Sequence, residues 1–509
     1  MESGQTGDRP FPRDFARALC YIPPMRWILY NVLFAIAYAA MMPKFLLRMK
    51  KRGGYRAHFA ERFGRYDPGT ARRLAEKPRV WVHAVSVGEA NLAGQVLAEL
   101  RRRDPAASFV LSTTSSTGRA VCERLVGPDD VCVYLPLDFP PCVRRALRAA
   151  NVRAMVLVEA ELWPNLLRAL HRRGVPLLLA NGRISDRSAP GYRRLRFFFG
   201  PVLRLFDALL VQSELDRDRL LAAGAPADRT RVTGSIKFDV APPAPEKIAR
   251  ARETLACAGI VPSAAASGAA GAGSPAGGAG ERSEPEGVVQ HSAFSIPHSP
   301  IVLLGGSTWP GEELALARAW RDALPACPDA RLVLVPRHFE RAAEIAAELE
   351  SAGFRVLRRS QAAEPPAGRT VERSDGVTVR PCDRATILLV DTTGELFALY
   401  ALADLVFVGK TLAPNEGGQN MIEPASLGKA TLVGPHTENF KPAMEVFRRE
   451  GAVLEVPDAD ALSREVSRLL SDASARAALG ARAAAAVAGS RGALARTCDA
   501  IESVLSSRS

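Results

Sequence analysis

The feature that most constrains this chain is an alternation of short apolar runs with amphipathic stretches, repeated twice along its length. From Arg79 the runs VWVHAV, SFVLSTTS, MVLVEAE and VPLLLANGR are separated by ANLAGQVLAELRRR, TGRAVCERL and WPNLLRALHRRG. After Ile301 the pattern resumes with IVLLGGST, LALARAWRDAL, RLVLVPRHFE, RAAEIAAELESAG, TILLVDTTGELFALYALAD and LVFVGK. Strands joined through helices at this interval form parallel βαβ units whose sheets are covered on both faces. Between the two blocks lies AAASGAAGAGSPAGGAG (Ala264–Gly280), a tract without apolar periodicity.

The expected organisation is therefore α/β, with two Rossmann-like doubly wound domains facing a cleft. Residues 1–50 read as an N-terminal membrane anchor, 51–255 as the first domain and 256–300 as a disordered insertion. Residues 301–509 form the second domain, whose Ala-rich tail from Ala459 reads as closing helices that can cross back over the first. Ligands of open α/β sheets sit at the carboxyl ends of strands, so the catalytic centre is expected there, between the domains.

The chain has 509 residues and carries 67 Lys and Arg against 54 Asp and Glu, a net +13 that favours anionic partners such as acidic lipid or a phosphorylated substrate. It has no zinc-finger spacing and no basic run interleaved with aromatics, which argues against nucleic acid. Its eight cysteines are scattered without a C-x-x-C pair and read as reduced structural thiols of the cytosol. Trp27–Met42 (WILYNVLFAIAYAAMM) is apolar but for Asn31 and precedes Lys44, Arg48, Lys50, Lys51 and Arg52. At about 1.5 Å per residue it is short for a membrane span. It reads as an uncleaved anchor or an interfacial helix on the cytoplasmic side, with a buried helix of the first domain as the alternative.

Every informative motif falls where a strand gives way to a helix. HAVSVGEANLAG places Glu89 at a helix mouth, where S-x-x-E spacing from Ser86 equally suits a capping box. MVLVEAELWPN delivers Glu159 and Glu161 at a strand end; a helix-entry acid favouring the dipole is the alternative. TGSIKFD supplies Lys237, either a cation of the site or a surface lysine. In the second domain, Arg337 and His338 follow a strand and suit a phosphate. Thr392 and Glu395 have capping-box spacing around Gly394, and Gly417 and Gly418 precede Glu423, placed to accept ribose hydroxyls. No P-loop or G-x-G-x-x-G fingerprint is present. The D-x-D triplets Asp216–Asp218 and Asp458–Asp460 read as solvated helix faces rather than metal ligands.

Taken in order, YRAHFAERFGRY, HAVSVGE, VEAELWPN, NGRISDRS, GSIKFD, VPRHFER, DTTGELFALYALADLVFVGKTL, GGQNMIEPASLGK and GPHTENF resemble the bacterial Kdo transferases, glycosyltransferases of the GT-B fold. The resemblance implies that Glu89 is the general base and that Glu159 and Lys237 stabilise the transition state. It implies that the CMP moiety of the donor contacts Pro336, Arg337, Thr393, Gly394, Glu395, Asn420, Met421, Ile422 and Glu423. The implied activity is metal-independent, inverting transfer of Kdo from CMP-Kdo to a phosphorylated lipid A precursor in lipopolysaccharide synthesis, at the cytosolic face of the inner membrane and with no cofactor. A basic surface around Arg183, Arg187, Arg193, Arg194 and Arg196 suits that acceptor. The chain departs from the family in GGQNMIE, where GGHNPLE is usual, and in NGR, where NAR is; Gln419 thus replaces a histidine. Competing readings are another GT-B transferase or epimerase, and a non-enzymatic binder of anionic lipid.

Overall fold

The computed structural model describes residues 24–52, 58–159, 161–260, 300–361 and 386–507; the tract Ala264–Gly280 lies outside them. The chain forms two compact units, one running to Asp239 and rejoined from Ser490, the other Val240–Gly489.

In the first unit, β1 (Arg79–His83), β2 (Phe109–Thr113), β3 (Val131–Tyr134), β4 (Val152–Val158), β5 (Leu177–Gly182), β6 (Ala208–Val211) and β7 (Thr230–Val232) form one sheet of order β3-β2-β1-β4-β5-β6-β7. Each neighbouring pair runs parallel. Helices cover both faces, so β1, β2 and β5 are buried along their whole length, which is why they read as unbroken apolar runs. Chain order reverses between β1 and β4, the position at which open α/β sheets offer a crevice to ligands.

The second unit repeats the scheme. Its sheet has the order β10-β11-β9-β8-β12-β13-β14, built from β8 (Ile301–Thr308), β9 (Ala330–Pro336), β10 (Arg355–Arg358), β11 (Thr386–Leu389), β12 (Leu405–Val408), β13 (Ala430–Val433) and β14 (Leu454–Glu455). Here the reversal lies between β8 and β12. Trp320 packs in the core with Leu303, Leu334, Phe407 and Leu432.

Both domain boundaries differ from those expected. The helix Pro245–Cys257 and the buried Ile260 belong to the second unit, so the first ends earlier than 255 and ordered chain continues past 256. The last helix, Ala493–Ser506, crosses back and belongs to the first unit, so the second ends before residue 509. It buries Ala493, Cys498 and Ile501 in the same cluster as Leu97 and Ile236. Asp239 receives the N–H groups of Gly492 and Leu494, each at 2.6 Å, and so satisfies donors that a helix start leaves open. Arg103 closes the contact on Asp499 at 2.6 Å and Glu502 at 2.9 Å.

The N-terminal helix, Pro24–Arg52, is docked on one side only. Tyr30 donates to Asp138 Oδ2 at 2.7 Å, and Asn165 Nδ2 donates to Asn31 Oδ1 at 2.8 Å. Phe34 and Tyr38 pack on Phe139, with ring centroids 5.0 and 5.4 Å away. On the other side Ile28, Leu29, Val32, Leu33 and Ile36 each keep half or more of their surface exposed. A helix buried all round is thereby excluded. Among the described residues no helix is long and apolar enough to cross a membrane.

Candidate functional site

The crevice at the carboxyl ends of β1 and β4 collects the acidic and basic residues of the first unit. β1 leads through Ala84 and Val85 into the helix Val87–Arg103, and Glu89 stands in its first turn. The capping box is real: Ser86 Oγ accepts from Glu89 N at 3.3 Å and donates to Glu89 Oε1 at 2.8 Å, while Val85 N donates to Oε2 at 2.9 Å. That geometry orients the carboxylate without using it up, because each oxygen keeps a second lone pair. Burial pushes the Glu89 carboxyl above its ordinary range, and the charge of Glu159 adds to this. The hydrogen bonds from Val85 and Ser86 and the charge of Lys237 pull it partly back.

Glu159 follows β4 directly and adopts φ 66°, a left-handed conformation that is rare outside glycine. Its Oε1 lies 3.0 Å from Lys237 Nζ, so the two half-buried groups form an ion pair across the crevice wall. Lys237 rides on a short 3-10 turn, Ile236–Phe238, whose position is set from behind. Asn181, at φ 55° and fully buried, accepts Ile236 N on Oδ1 at 3.0 Å, and Gln212 Nε2 donates to its carbonyl at 2.9 Å. Asn181 is thus a positioning residue that the strand-end motifs alone did not single out; its place in NGRISDRS was the available signal.

Glu161 also joins this group. Its side chain is open to solvent on one side, yet the protein around it removes enough water to push its carboxyl up to about 7, with repulsion from Glu89 second. Asp138 anchors the next helix, Pro164–Arg172, by accepting Asn165 N at 2.9 Å and Leu166 N at 2.8 Å. The helix after Glu159–Trp163 is thereby tied to Tyr30 of the N-terminal helix.

In the second unit Pro336 and Arg337 stand at the end of β9 and Thr393, Gly394 and Glu395 follow the neighbouring β11, whereas Asn420, Met421, Ile422 and Glu423 lie at the start of the helix Ile422–Ser426 beyond β12. Pro336 closes β9 and Arg337 N donates to Thr308 O at 3.0 Å, with the Arg337 side chain exposed. Thr393 and Gly394 are exposed in the turn after β11, where Gly394 takes φ 88°. Glu395 is held by Thr392 Oγ1 at 3.1 Å and Thr254 Oγ1 at 3.2 Å. Asn420 donates to Glu423 Oε1 at 3.0 Å and accepts Ile422 N at 3.1 Å. Burial raises the Glu423 carboxyl above its ordinary range, and the Asn420 bond opposes this. Met421 and Ile422 have fully buried side chains, so they can offer a ligand only backbone.

One expectation needs correction. Asp216 is not on a solvated face: it is buried, accepts Ile184 N at 3.0 Å and receives the Ser213 hydroxyl at 2.6 Å. In the Gly417–Gly418 loop, Gly417 N donates to Glu438 Oε2 at 2.8 Å and Gly418 N to Lys410 O at 2.9 Å. Asp458 is a helix cap, accepting Ala461 N at 2.7 Å.

The chain was compared with known proteins. A family model described as 3-deoxy-D-manno-octulosonic-acid transferase (kdotransferase) matches residues 57–240. The 3-deoxy-D-manno-octulosonic acid transferase of Bordetella pertussis is 34% identical over 464 residues, which cover 89% of this chain and 94% of that protein. The protein of the same name from Haemophilus influenzae is 27% identical over 452 residues, covering 89% and 92%. Among solved structures, the C-terminal CMP-Kdo binding domain of WaaA from Acinetobacter baumannii matches with 30% identity and a TM-score of 0.31, over 37% of this chain and 89% of that one. Sequence identity at this level along nearly the whole chain, together with the matched first unit, places the protein in the 3-deoxy-D-manno-octulosonic acid (Kdo) transferase family.

Proposed function

We propose that the protein transfers Kdo from CMP-Kdo to a phosphorylated lipid A precursor by a single inverting displacement. The observation that carries this reading is the crevice itself: a desolvated carboxylate, Glu89, within electrostatic reach of the Glu159–Lys237 ion pair at the β1/β4 reversal. An acceptor hydroxyl attacks the anomeric carbon, the bond from that carbon to the phosphate oxygen breaks, and CMP leaves with the electron pair. The hydroxyl proton passes to Glu89, the group poised to accept it. Positive charge on the sugar is met by Glu159, which its ion pair with Lys237 holds in place. Arg337 faces the nucleotide, and Glu423, with Oε1 engaged by Asn420, offers Oε2 to the ribose hydroxyls.

The N-terminal helix supports a membrane-surface location. Its exposed apolar face suits the headgroup boundary, and Leu195 and Phe197 are exposed beside Arg193, Arg194 and Arg196. We therefore place the protein on the cytoplasmic leaflet of the inner membrane, where a lipid acceptor presents its phosphates.

Incubation with CMP-Kdo and a tetraacyl lipid A precursor is expected to yield lipid product heavier by one or more Kdo residues in mass spectrometry. Absence of both product and released CMP would overturn the reading. Transfer is also expected to persist in excess EDTA, because Lys237 and Arg337 supply the cationic charge from side chains. Activity that disappears with chelator and returns with magnesium would contradict this.

A further inference from the structure

We propose that Lys410 is a donor-positioning cation, its ammonium pairing with an oxyanion of the acidic nucleotide sugar at the β8/β12 reversal. The proposal rests on the reading of the protein as a transferase using CMP-Kdo. Lys410 lies two residues beyond the end of β12, where the sheet order reverses against β8, the place at which open α/β sheets hold their ligands. The ladder continues one residue past the strand, with Gly409 N donating to Gly306 O at 2.9 Å, so the residue just before Lys410 stands beside Ser307. Lys410, at φ 63°, and Ser307, at φ 53°, are both non-glycine residues in the left-handed region. Glycine adopts that conformation freely and lysine does not, so a side chain kept there needs a use.

The surroundings over-determine this backbone. Glu312, with 1% of its surface exposed, accepts Lys410 N at 2.8 Å, Thr411 N at 2.8 Å, Leu412 N at 3.0 Å and Trp309 N at 2.9 Å. The side chain is then aimed across the Trp309 ring, with Nζ 4.8 Å from its centroid. A β-carbon built on Gly417 would stand 3.3 Å from that nitrogen, so the ammonium hangs over bare glycine backbone. Among the described residues Lys410 forms no ion pair, and the buried indole N–H of Trp309 meets no acceptor. The glycine loop's amides are committed to Glu438 and to the Lys410 carbonyl. An anion at this junction is therefore met by the lysine rather than by the loop.

The donor carries two oxyanions, its phosphate and its sugar carboxylate, and the test separates them. In the full chain, Lys410→Met keeps the stem on Trp309 and removes the charge, Lys410→Arg keeps the charge, and Lys410→Gly relieves the backbone. CMP affinity is measured by calorimetry, KM and kcat with CMP-Kdo, and thermal midpoint by unfolding. Met and Gly variants are expected to raise KM for CMP-Kdo by roughly tenfold to a hundredfold, the range of a charge-assisted hydrogen bond. The Arg variant should recover most of the loss, and the Gly variant should melt at or above the wild-type temperature. A parallel loss of CMP affinity assigns the phosphate; unchanged CMP affinity with raised KM assigns the carboxylate. If the Met variant keeps KM and CMP affinity within threefold of wild type, the lysine is only a platform for Trp309 and the proposal falls. If the wild-type chain neither binds CMP nor turns over CMP-Kdo, the functional reading fails and takes the proposal with it.

Discussion

Glu89→Gln is expected to lower the rate of Kdo transfer by about 10² to 10⁴ while leaving the thermal midpoint within about 2 °C of wild type. The two halves of that result come from different parts of the same geometry. The amide can keep the cap, because its oxygen accepts Val85 N and its NH₂ group donates to Ser86 Oγ, whose hydroxyl turns to suit. It cannot accept the proton of an attacking hydroxyl. A pH profile adds an independent check. The base works only when ionised, and burial holds the Glu89 carboxyl above its ordinary range. The acid limb of kcat/KM should therefore lie at higher pH than an ordinary glutamate would give, with activity lost as pH falls through it. Near-normal turnover in a well-folded Glu89→Gln protein would return Glu89 to a helix cap. Glu161 would then be the next candidate, since Glu159 is engaged by Lys237.

The largest stability effect is expected at Glu312→Ala. The carboxylate collects four backbone N–H groups from two segments at the reversal of the second sheet. Deleting it leaves those donors without an acceptor in a place that is closed to water, at about 1 to 3 kcal/mol for each that stays unsatisfied. Some will find water as the loop relaxes, so a net loss of about 4 kcal/mol is expected. For a unit of this size that lowers the melting transition by about 8 to 16 °C. Calorimetry of the full chain should show the fall in the transition of the second unit, and CMP binding should weaken with it as the Lys410 segment loosens. A melting curve shifted by less than about 2 °C would show that Glu312 does not hold this segment.

Both sheets were legible in the sequence because a parallel strand covered on two faces must be apolar along its whole length, and that is a local property of β1, β2 and β5. Glu89, Glu159 and Lys237 were legible for a related reason: each follows a strand within a few residues, and its motif string carries the turn that places it. The cap at Ser86 was equally readable, and the structure shows it formed by the Glu89 carboxylate.

Other features had no local signature. The final helix looks from its own residues like the end of the second unit, yet its apolar side is covered by the first, with Asp239 capping its start. Asn181 reads only as the polar end of an apolar run until Ile236 N arrives on its side chain from a distant part of the unit. Glu312 opens the helix Glu312–Ala323 with no motif around it, and its partners at Lys410, Thr411 and Leu412 lie about a hundred residues further on. The sequence by itself determined which segments are strands, which are helices and which polar residues stand at the junctions between them, because periodicity and turn residues act over a few neighbours. The tertiary structure alone decided which junctions meet, through strand order: the reversals β1/β4 and β8/β12 bring Glu89 to Glu159 and Trp309 to Lys410, and a reversal is a long-range contact that no short stretch of chain encodes.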